Sequence, residues 1–80
     1  MTYLNRCEME VRKLTNNFVY DVKTGHYSPV TVAIQYEYLI NYCRDIYGFC
    51  PNEYGKLYDR LPTVYQLKID EMYERGDIFK

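Results

Sequence analysis

Residues 28–50, SPVTVAIQYEYLINYCRDIYGFC, constrain the fold of this chain more than any other stretch. Ser28-Pro29 is a helix start: a hydroxyl that can take a free backbone N–H, then a ring whose fixed φ and missing donor suit the first turn. Gly48 is the matching stop, because a left-handed residue can close a helix there. At ~100° per residue, Val32, Tyr36, Leu39, Cys43, Ile46, Tyr47 and Cys50 fall on one side. Ile34, Tyr38, Tyr42 and Phe49 form a second stripe about 120° away. A helix apolar over so wide an arc must be buried between neighbours or covered by a partner.

The other segments decide what neighbours exist. Leu4, Cys7, Val11, Leu14 and Phe18 repeat at three- and four-residue intervals, which predicts a first helix from Thr2 to about Lys23 with one apolar seam. Gly25 is its stop. Pro51-Asn52 opens a short segment carrying Tyr54, Leu57, Tyr58 and Leu61, weakened by Gly55. Pro62 starts a last helix with Tyr65, Ile69, Met72 and Tyr73 on one face, stopped by Gly76. Ile78 and Phe79 are expected to fold back onto the body. The prediction is all-α: one domain over residues 1–80, a three- to four-helix bundle with helices at about 2–23, 29–47, 52–60 and 62–75. The alternative is α+β, with a short hairpin at 18–34 pairing Phe18–Val22 with Val30–Ile34.

Eighty residues give one modest core, since a chain of this size buries only ~60–65% of its unfolded surface. The composition, 48% hydrophobic and 26% charged, is that of a folded chain rather than a disordered one. Eleven Tyr stand beside three Phe and no Trp. Tyr fills a core with a wet rim, and it also builds contact surfaces, offering large area at low entropic cost. The net charge of −1 supplies no global attraction to phosphate or anionic lipid. No apolar run reaches the ~18 residues of a membrane span, and MTYLNRCEMEVRK lacks the layout of a signal peptide. A cytoplasmic protein is expected.

Chemistry finds little purchase. Cys7, Cys43 and Cys50 are odd in number and contain no CxxC pair, which fits reduced thiols. With His26 they lack the short spacings of a zinc site, so no metal is expected. No nucleophile motif, phosphate loop or HExxH is present, and no cofactor is expected. His26 sits in a turn. The carboxylates Asp70, Glu71, Glu74 and Asp77 alternate with Lys68 and Arg75, as on a solvated helix face. The expectation is a chain that is not an enzyme.

The segment 53–78, EYGKLYDRLPTVYQLKIDEMYERGDI, is similar to the helix-turn-helix part of winged-helix regulators, with Tyr65, Ile69, Met72, Gly76 and Ile78 in the phase of a recognition helix and wing entry. The resemblance covers about a third of the chain. It implies nucleic-acid contact through Lys56, Arg60, Gln66 and Lys68. The sequence departs from that pattern at Gly55, where a small helical residue is usual, and in the two residues after Ile78, too few for a wing hairpin. Thr63, Gln66, Asp70 and Glu74 on the would-be reading face are poor partners for phosphate.

The functional expectation is therefore a small non-enzymatic interaction module: a regulator, adaptor or inhibitor of the kind phages and mobile elements often encode. It would bind a protein partner or itself through Ile34, Tyr38, Tyr42 and Phe49. A helix-turn-helix-like nucleic-acid binder is the alternative, and a small-molecule binder with a tyrosine-lined pocket is the third reading.

Overall fold

The computed structural model describes residues 2–80, which form five helices and no strand. They are α1 (Tyr3–Thr24), α2 (Pro29–Ile46), α3 (Pro51–Tyr54), α4 (Leu57–Arg60) and α5 (Thr63–Glu74). The caps follow from local chemistry. Thr2 Oγ1 accepts from Asn5 N–H at 3.2 Å at the start of α1, and Ser28 Oγ accepts from Thr31 N–H at 3.2 Å at the start of α2. Gly48 (φ +76°) ends α2, its N–H reaching Arg44 O at 3.1 Å. Gly76 (φ +75°) ends α5 in a Schellman turn, with Asp77 N–H to Met72 O at 2.8 Å and Gly76 N–H to Tyr73 O at 3.1 Å.

The all-α prediction holds, and the hairpin alternative does not. Helix α1 runs unbroken through residues 18–24, and its buried face is Cys7, Val11, Thr15, Val19 and Val22. A strand would put residues 18, 20 and 22 on one face, yet Tyr20 is exposed while Val19 and Val22 are buried. The seam is displaced from its predicted line: Leu4 is exposed, and Leu14 and Phe18 are half-buried. The single short helix predicted at 52–60 is two four-residue helices. Lys56 adopts the left-handed conformation (φ +50°) directly after Gly55, which breaks the run.

Helix α5 packs along α2, whereas α1 lies mainly against α3 and α4. Val32, Ala33, Tyr36 and Ile40 of α2 join Val19 and Val22 of α1, Leu57 and Leu61, Ile69 and Met72 of α5, and Ile78 in one core. Ile78 and Phe79 fold back as predicted; the Phe79 N–H donates to Glu37 Oε2 at 2.6 Å. The molecule measures 39 × 29 × 16 Å. A thickness of 16 Å admits about two layers of helices spaced ~8–10 Å apart. Helix α2 is consequently covered on one side, and its other side faces outward.

Candidate interaction surface

That outward side carries a continuous apolar ridge. Val30, Ile34, Tyr38, Tyr42 and Ile46 follow one another at intervals of four residues, and their exposures range from 39% to 71%. Residues spaced by four line up on an α-helix as a ridge inclined to its axis, and the hollow beside such a ridge receives a ridge of a second helix. Glu37, Asn41 and Asp45 form the parallel polar ridge, each three residues beyond Ile34, Tyr38 and Tyr42. Between the two ridges lies a groove of about 350 Å³. Tyr38 and Tyr42 stack with centroids 6.2 Å apart and planes 16° from parallel, and Tyr47 meets Tyr42 edge-on at 6.1 Å and 74°. The phenols therefore brace one another on the surface. Burial, with the neighbouring Tyr42 second, raises the Tyr47 phenol above its usual range.

The groove bears acid but no base. Among the described residues neither Asp45 nor Glu37 is in an ion pair, and Glu37 accepts one hydrogen bond, from the Phe79 N–H. Its chemistry is that of an apolar slot with a negative edge.

Of the residues predicted for a contact face, Ile34, Tyr38 and Tyr42 are brought together here and Phe49 is not. Phe49 follows the Gly48 stop, leaves the helix, and packs edge-on against Tyr54 with centroids 4.6 Å apart. The prediction also missed both ends of the ridge. Ile46, assigned to the buried stripe, is 54% exposed. On a helical wheel it lies about 40° from Val32, which hides that it is the next step after Tyr42 along the inclined ridge. Counting by fours from Ile34 in both directions would have found Val30 and Ile46.

The residues named for nucleic-acid contact are placed differently. Arg60 Nη1 donates to Asn16 Oδ1 at 2.7 Å and to Gly55 O at 3.1 Å, holding α4 against α1. Gln66 Nε2 donates to Tyr58 O at 2.7 Å, and Lys68 pairs with Glu71 at 3.2 Å. Lys56 is exposed at the break between α3 and α4. Helix α4, which precedes the would-be recognition helix, has only four residues.

The thiols are buried at Cys7 and Cys43 and half-buried at Cys50. Burial pushes the Cys43 thiol up to about 11, with the nearby Cys50 adding to the shift. Among the described residues no three His, Cys, Asp or Glu side chains are grouped as metal ligands, and no helix is long and apolar enough to cross a membrane. Comparison with protein-family models, curated proteins and solved structures found no match.

Proposed function

We propose that this chain is a non-enzymatic protein-interaction module that receives a helix of a partner protein along the outward ridge of α2. The observation that carries the reading is the unbroken exposure of Val30, Ile34, Tyr38, Tyr42 and Ile46 on a helix whose opposite side is core. A soluble surface scatters its apolar residues; a contiguous row rimmed by polar groups marks a contact site. Tyr contributes apolar area, a hydroxyl and little rotamer entropy, the profile of a binding hot spot. The carboxylates of Glu37 and Asp45 suit a partner helix with an apolar ridge flanked by Lys or Arg.

The test is affinity capture from lysate of the native cell with the intact chain, with Tyr38→Ala and with Asp45→Lys as parallel baits, alongside light scattering of each purified protein. A partner retained by the intact chain and lost by both variants, all three being monomeric alone, supports the reading. A dimer that both substitutions dissociate makes the partner a second copy of this chain. A partner held equally by all three baits refutes the ridge as the contact.

A further inference from the structure

On the covered side of α2, a cleft of about 320 Å³ opens where α2, α3, α4, α5 and the C-terminal residues meet. Four aromatic rings line it: Tyr36 from α2, Tyr58 from α4, Tyr73 from α5, and Phe79. They run as a chain. Tyr58 stands to Tyr36 at 63° with centroids 6.4 Å apart, Tyr36 to Phe79 at 89° and 5.8 Å, and Phe79 to Tyr73 at 56° and 6.3 Å. Neighbouring rings thus meet edge-on or tilted rather than stacked along the cleft.

Two opposite charges share the cleft without neutralising each other. Asp70 and Arg44 both line it, and no ion pair joins them. Both carboxylate oxygens of Asp70 lie 2.8 Å from the Tyr58 hydroxyl that donates to them, which holds the acid beside the ring. Arg44 has no carboxylate partner among the described residues.

Aromatic faces attract cations, and a carboxylate beside them adds to the attraction. A methylated ammonium suits such a wall best: it donates no hydrogen bonds and covers the rings with methyl groups, whereas a primary ammonium carries three donors to be satisfied. The guanidinium of Arg44 asks for the opposite, a carboxylate or phosphate. The volume lies near the small end of ligand pockets, about 300–1,000 Å³, which suits a metabolite-sized molecule. We infer that this cleft binds a small zwitterion of the betaine class, its trimethylammonium head among Tyr36, Tyr58, Tyr73 and Phe79 beside Asp70 and its anionic end on Arg44. Tyr36, Ile40 and Arg44 lie about 160° around α2 from Ile34, Tyr38 and Tyr42. The cleft and the ridge thus stand or fall separately.

The test is an NMR titration of the isotope-labelled full chain with glycine betaine, with phosphocholine and with tert-butylacetate, the carbon isostere of betaine that lacks the positive charge. Saturable shifts confined to cleft residues are expected with a zwitterion, and at least about tenfold weaker binding of the isostere. Arg44→Gln should weaken betaine binding while leaving tetramethylammonium binding unchanged. Tyr73→Leu keeps apolar bulk at a ring that is 61% exposed, so the fold survives, and it should weaken betaine and tetramethylammonium alike. Sedimentation with phosphatidylcholine vesicles assigns the source: with free phosphocholine also bound, binding to vesicles makes the ligand a lipid headgroup, and its absence makes it a free zwitterion. Equal binding of the isostere, no saturable shift with either zwitterion, or indifference to Arg44→Gln overturns the proposal.

Discussion

Thr15 of α1 lies so close to the backbone of Gly55 that a Cβ at Gly55 would stand 2.7 Å from the Thr15 methyl and 2.9 Å from its Cβ. Thr15 is fully buried, and its hydroxyl donates to Val11 O at 2.8 Å, so its polar group is satisfied within its own helix. The side chain can then seat α1 against the corner between α3 and α4. Because Cβ atoms cannot approach that closely, Gly55→Ala should cost about 1–3 kcal/mol, as overpacking does. Thr15→Ala in the same chain should return part of the loss, since it removes the methyl but not the Cβ. Urea unfolding of the two single variants and the double variant checks this; additive losses would show that the two residues do not meet.

Gly76 is required for a different reason. Nothing lies within 4 Å of a Cβ placed there, but its φ of +75° belongs to the left-handed region. Gly76→Ala should cost about 1–2 kcal/mol from backbone strain alone, and no substitution at a neighbouring position should relieve it. Thermal unfolding of Gly76→Ala, alone and combined with truncation of nearby side chains, separates this behaviour from that of Gly55.

Asn52 ties three elements together. Its Nδ2 donates to the Tyr36 hydroxyl at 2.8 Å, and its Oδ1 accepts from Tyr58 N–H at 2.9 Å. Asn52→Ala strips both bonds and leaves the Tyr58 N–H without its acceptor, so a loss of about 2 kcal/mol is expected. Tyr36→Phe removes one bond and should cost about 1 kcal/mol. Denaturant midpoints for the two variants should keep that order.

Stability should fall on the alkaline side. The Cys43 thiol rises from its usual 9.0 to about 11, chiefly through burial, so the unfolded chain loses this proton first. The contribution is whole below pH 9.0 and is lost as pH climbs through about 11. Tyr58 acts in the same sense from 10.0 to about 12, because its hydroxyl donates to the Asp70 carboxylate. Cys43→Ala should flatten the first part of the decline, and Tyr58→Phe the second, in melting temperature measured across alkaline pH. Cys43 is fully buried and its thiol is held protonated, so thiol reagents should modify half-buried Cys50 before Cys43.

Tyr38→Ala should change folding stability by less than about 0.5 kcal/mol, since the ring is largely exposed. Partner binding by the same variant should weaken by about 1–3 kcal/mol, roughly fivefold to 150-fold. Parallel unfolding and binding curves decide it, and a large loss of stability would place the ring in the core.

The sequence by itself determined the local structure. Thr2, Ser28-Pro29, Gly48 and Gly76 act within a few bonds, and the periods of α1, α2 and α5 are intrinsic to the helix, so caps, stops and the all-α class were legible. Whether the Ile34, Tyr38 and Tyr42 side of α2 would remain open was not, because that depends on how many layers the chain assembles. The packing of α5 on α2, with α1 turned onto α3 and α4, leaves the ridge uncovered. Only the tertiary structure showed that Gly55 is a point of close approach as well as a weak helix former, and that Phe49 turns away from the stripe it follows. The same holds for the cleft. Tyr36, Tyr58, Tyr73 and Phe79 are spread over more than half the chain, and no spacing rule relates them. Their meeting depends on the sum of every turn between them, and that sum is set by packing.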